Sequence, residues 1–160
     1  MSRRFAADTS VSMDRSIAEI RTTVRRYGAA EFAHMESDDH AAIAFTMKGR
    51  RIQFTLAMPN PKDRAFTKTD TGRDGTPAAA EAAWEQACRS RWRALALVIK
   101  AKLEAVEVGI VAFEDEFLAN TVMPGTGVTF GAAVREAMAI AHQEGSHTPL
   151  LPYLGDGGGR

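Results

Sequence analysis

Residues 43–58 constrain the fold most tightly. Ile43, Phe45 and Met47 alternate with small or polar residues, and Ile52, Phe54, Leu56 and Met58 do the same beyond Gly49-Arg50. A period of two marks a strand with one buried face. Glycine first in a two-residue loop suits a type II′ turn, which pairs Met47 with Ile52, Phe45 with Phe54 and Ile43 with Leu56. Every large apolar residue then shares one face, while Thr46, Gln53 and Thr55 share the other.

That apolar face needs a cover. From Ala78 to Val108 there is no Gly or Pro, and Thr76-Pro77 supplies an N-cap followed by proline at the first helical position. Trp84, Cys88, Trp92, Leu95, Ile99, Leu103 and Val106 fall in one sector, about 100° wide, of a 3.6-residue wheel. This predicts a helix of about 30 residues, roughly 45 Å long. A three-stranded sheet is narrower than that, so the excess stripe packs on the C-terminal helices or, the favoured expectation, between subunits of a homo-oligomer.

The remaining elements follow from local signals. Ser12 caps a helix over 13–27 with its stripe at Met13, Ile17, Ile20, Val24 and Tyr27, and Gly28 ends it. Phe32–Met35 reads as a first strand, and 60–77, rich in Pro, Gly, Asp and Thr, as a long mobile basic loop anchored only by Phe66. After Gly109 a helical pattern continues through Ile110, Phe113, Phe117 and Leu118; Thr129 caps a last helix, Phe130–Gln143, closed by Gly145. Residues 1–11 read as a flexible lead-in and 146–160 as a flexible tail docked only by Leu150, Leu151 and Leu154. The fold class is α+β: one domain over 12–145, with a helix, a three-stranded antiparallel meander, a long covering helix and one or two C-terminal helices.

The chain has 160 residues, 45% hydrophobic and 25% charged, which fits a globular domain and excludes global disorder or a disulfide scaffold. The single Cys88 points to a reducing, intracellular setting. No apolar run approaches the ~20 residues of a membrane span, so no membrane partner is expected.

No catalytic constellation stands out, and neither enzyme activity nor a cofactor is expected. His34, His40, His142 and His147 lack zinc-ligand spacing. His34 suits a hydrogen-bonded core histidine, and Cys88 lies on the apolar stripe as a small buried hydrophobe. Glu114-Asp115-Glu116 reads as a solvated acidic face, and Gly125-Thr126-Gly127 follows no strand-to-helix phosphate pattern.

The basic residues carry more information. Net charge is zero, but residues 1–107 hold 18 basic and 14 acidic side chains, and 108–160 hold 2 and 6. Arg89, Arg93 and Lys100 form one ridge of the long helix, and Arg93 has no acid three or four residues away. The hairpin tip adds Lys48, Arg50 and Arg51, with Lys48 facing Arg51 in the expected register. Arg21, Arg25 and Arg26 form a third cluster. A groove between tip and helix, lined by Lys48, Arg50, Arg51, Arg89, Arg93 and Lys100, would track a nucleic-acid backbone, single- or double-stranded, with single strands in replication or recombination the first expectation. The alternative is a protein–protein module, such as an oligomeric virion component or an inhibitor of a host factor. In that case the charges only keep the surface soluble.

The run Trp84–Glu107, the segment Phe113-Glu-Asp-Glu-Phe-Leu118, Arg26-Tyr-Gly28 and Lys48–Leu56 together resemble a family of small tailed-phage and prophage proteins without an assigned activity. The likeness covers residues ~10–125 and departs at Met123-Pro-Gly-Thr-Gly127, where the family reads closer to Leu-Pro-Asp-Gly. It implies a viral protein in the host cytoplasm and no site. The element order is also similar to double-stranded-RNA-binding domains and to the core of single-strand annealing proteins, a likeness of fold alone. Pro77-Ala-Ala-Ala-Glu81 lacks the lysines that the former place at that helix start.

Overall fold

The computed structural model describes residues 9–145; the first eight residues of the lead-in and the whole of the 146–160 tail lie outside the described residues. The order is α1 (Met13–Arg26), β1 (Glu31–Glu36), β2 (His40–Met47), β3 (Arg50–Ala57), α2 (Arg64–Thr67), α3 (Pro77–Glu107), α4 (Phe113–Glu116), a 3-10 turn over Leu118–Asn120, and α5 (Phe130–Glu144). The three strands form an antiparallel meander in the order β1-β2-β3, so the α+β architecture is as expected. The three expected caps are in place. Ser12, Thr76 and Thr129 accept hydrogen bonds from the backbone N–H of Arg15, Ala79 and Ala132 at 3.2, 3.2 and 3.3 Å, satisfying donors that a helix start leaves free.

The hairpin keeps its expected face but not its expected turn. Phe45 pairs with Ile52, Ile43 with Phe54 and Ala41 with Leu56. The turn is Lys48-Gly49, with φ of 50° and 73°, which is type I′ rather than type II′ at Gly49-Arg50. A slip of two residues preserves which face each side chain takes, and it replaces a Phe–Phe pair by two pairings of an aromatic with a β-branched residue. Lys48 sits in the turn, and Arg51 stands opposite Thr46 instead. An L-residue in the left-handed region is disfavoured, whereas asparagine tolerates it. Lys48→Asn is therefore expected to raise stability by about 0.5–1 kcal/mol in denaturant melts, and a loss would argue against this turn.

One face of the sheet carries the core. Ile43, Phe45, Met47, Ile52 and Phe54 meet Ile17, Ile20 and Val24 of α1 and Trp92, Ala96, Ile99 and Leu103 of α3. Ala42 and Ala44 are also buried but stand outside that cluster, on the opposite face with Arg51 and Gln53. The two helices run parallel, side by side. Gln86 donates to the Thr9 carbonyl at 2.9 Å, Arg93 pairs with Glu19, and the Tyr27 hydroxyl donates to Glu104. Against β3, α3 runs antiparallel: Trp84 Nε1 donates to the Pro59 carbonyl at 2.8 Å and Arg91 to that of Ala57.

At Gly109, expected to end or kink the long helix, α3 ends, and the helical pattern through Leu118 forms only short turns. Gly109 (φ 77°) turns the chain, Ile110 is 78% exposed, and α4 is a single turn. The apolar period there serves a tuck: Phe113 and Phe117 are buried with ring centroids 5.0 Å apart, and Phe117 stands 6.4 Å from both Phe45 and Phe54. The segment then runs along the outer edge of β3, where Val122 N–H donates to the Arg51 carbonyl at 2.8 Å and Phe130 N–H to that of Thr121 at 2.9 Å. A Cβ on Gly131 would lie 2.8 Å from the Ala119 carbonyl oxygen, so only glycine lets α5 start this close to the 3-10 turn. The 60–77 segment is more ordered than a bare loop: it holds α2 against α3, and Lys68 pairs with Asp74 across a short bridge.

Candidate nucleic-acid interface

The expected groove between hairpin tip and long helix does not form. Ala57, at one end of β3, meets Arg91, so the tip lies about 20 Å further along, beside the C-terminal end of α3. There Lys48 Nζ sits 5.3 Å from the Phe113 ring centroid and Arg50 pairs with Glu114 at 3.0 Å. Glu114 and Glu116 therefore hold cations and are not a purely solvated face, since Glu116 binds Lys102 at 2.7 Å. Arg51 points to the opposite face of the sheet, exposed.

The ridge Arg89–Arg93–Lys100 faces α1. Arg89 is engaged by Glu85 at 3.6 Å and Gln86 at 2.6 Å. Arg93, uncompensated within its own helix, finds Glu19 across the seam with both side chains partly buried. Only Lys100 of the ridge is exposed and without an acid partner among the described residues. The sequence cannot reveal the Glu19 pairing, because it joins residues 74 positions apart.

The same packing sets the last turn of α1 beside the C-terminal third of α3. Parallel α1 sets Arg25 and Arg26 at the level of the Lys100 turn, because Tyr27 meets Glu104 one turn on. Arg15, Arg21, Arg25 and Arg26 are exposed and lack acid partners among the described residues. Arg21 lies over the Phe32 ring at 5.2 Å and Arg26 over that of Tyr27 at 5.1 Å, which fixes both guanidinium groups at the surface. Ala30 N–H donates to the Thr46 carbonyl at 2.9 Å, so the C-terminal end of α1 and the hairpin turn share one end of the domain.

At the opposite end a cleft of about 650 Å³ is lined by Glu36, Asp38, Asp39 and Lys62 and by the apolar Met13 and Trp84. Hydrogen bonds from His40 and then Ser37 hold the Asp39 carboxyl below its ordinary range. His34 is not the hydrogen-bonded core residue expected. Its ring stands edge-on to Trp92 at 5.3 Å, with Nε2 3.2 Å from a Glu36 oxygen. Cys88 is fully buried, and burial pushes its thiol up, which disfavours the thiolate. Among the described residues no group of three or more His, Cys, Asp or Glu is placed to hold a metal, and no helix is long and apolar enough to cross a membrane. No family model, curated protein or solved structure matches this chain.

Proposed function

We propose that this chain is a non-enzymatic accessory protein that binds nucleic acid by phosphate contacts, in the phage or prophage setting that its sequence resemblance implies. The observation that carries the reading is a set of exposed cations, Arg15, Arg21, Arg25, Arg26 and Lys100, without acid partners among the described residues, of which Arg25, Arg26 and Lys100 lie at one level of the α1–α3 pair. Exposed cations without partners cost nothing to offer to a polyanion, and each phosphate contact releases condensed counterions. Lys48 adds support: it occupies a left-handed position where glycine or asparagine is the stable choice, as expected where a charge is retained for use. Arg89 and Arg93, being engaged within the fold, leave the interface, and Arg25 and Arg26 replace them.

The test is a fluorescence-anisotropy titration of labelled single- and double-stranded DNA and RNA at about 50 mM salt. Binding at micromolar protein, independent of base sequence, is expected; no signal at tens of micromolar would overturn the reading. A protein–protein module is the second reading, favoured by α5, which rests on the 3-10 turn and leaves Met138 44% and Ile140 41% exposed. A mass above that of one chain by light scattering, without oligonucleotide binding, would establish it instead.

A further inference from the structure

Beside the outer edge of β3 lies an open cleft of about 790 Å³, lined on one side by Arg50, Arg51 and Gln53 and on the other by Val122, Met123 and Phe130. Its volume falls within the about 300–1,000 Å³ that small organic ligands occupy. We propose that this cleft takes one unpaired nucleotide of a single strand, an inference that rests on the nucleic-acid reading above and gives it a substrate class.

The walls divide by chemistry. Val122, Met123 and the half-buried Phe130 offer an apolar surface with one aromatic ring, on which a flat base stacks. Gln53 is half-buried, and while its backbone carbonyl accepts from Asn120 at 3.2 Å, its side-chain amide has no protein partner among the described residues. An amide carries both donors and an acceptor, the complement of a Watson–Crick edge. Arg51 is exposed, without an acid partner among the described residues, and opens on the same cleft, where it meets the phosphate; Arg50 is shared with Glu114. Hydrogen bonds onto the β3 carbonyls fix this geometry, because Val122 N–H donates to that of Arg51 and the Asn120 side-chain amide to that of Gln53. A base inside a duplex is stacked and paired and cannot enter, so the cleft selects single strands.

The experiment compares single-stranded 12-mers of DNA and of RNA with the matching duplexes, using the full chain and its Phe130→Leu and Gln53→Ala variants. Tighter single-strand than duplex binding is expected on at least one of the DNA and RNA arms, which tells the two sources apart. Each variant is expected to weaken single-strand binding about five- to tenfold and leave duplex binding unchanged. Gln53→Ala, on the non-core face, keeps the test decisive if Phe130→Leu fails to fold. Equal affinity for single strands and duplexes, or variants that bind single strands as the parent does, would overturn the cleft and leave the helical surface standing. Loss of all binding by the parent chain would remove both.

Discussion

Phe117→Ala is expected to destabilise the domain by about 3–5 kcal/mol, the range for removing a large aromatic from a packed core. Phe117 is fully buried and lies against three rings, Phe45, Phe54 and Phe113, with Lys102 Nζ 5.8 Å from its centroid. It reaches the core from a segment of one-turn helices that have little stability alone. The cavity would therefore loosen Phe113, α4 and the edge segment along β3 together. Denaturant melts measure the loss, and a value below about 1 kcal/mol would show that the tuck is not part of the core.

The second large effect concerns binding. Arg25→Glu, Arg26→Glu and Lys100→Glu together should lower oligonucleotide affinity about a hundredfold or more at low salt and reduce the salt slope by about two to three. These side chains are exposed and make no ion pair among the described residues, so folding should suffer little. The two arginines occupy the last turn of α1, where a cation complements the helix dipole, so reversal there costs about 1 kcal/mol. A melting curve close to the parent's, with binding lost, separates interface from scaffold. Arg93→Ala is the contrasting control, since it breaks the Glu19 pairing and should lower stability more than affinity.

What the sequence made legible follows from the range of the forces involved. Caps, the spans of α1, α3 and α5 and the alternation of 43–58 are local, and the structure agrees with each. The hairpin turn was ambiguous for a physical reason: hydrophobic alternation is unchanged by a slip of two, so only turn geometry separates Lys48-Gly49 from Gly49-Arg50. The period through Ile110, Phe113 and Phe117 gave a helix because three- and four-residue spacing fits two successive tight turns as well. The interface was the least legible part. Its basic clusters were visible, but their placement depends on α1 running parallel to α3, a contact between residues more than 70 apart. The cleft beside β3 had no signal at all in spacing, because it is made when residues 120–123 extend the sheet edge.

The central claim is that an unpaired basic surface binds a phosphate backbone, and the dependence of affinity on salt tests it most directly. Anisotropy titrations of a labelled single strand from about 25 to 200 mM salt should give a straight line of log affinity against log salt, with a slope of roughly −3 to −4 for four to six phosphate contacts. A slope near zero, or no binding at about 25 mM salt, would contradict the account.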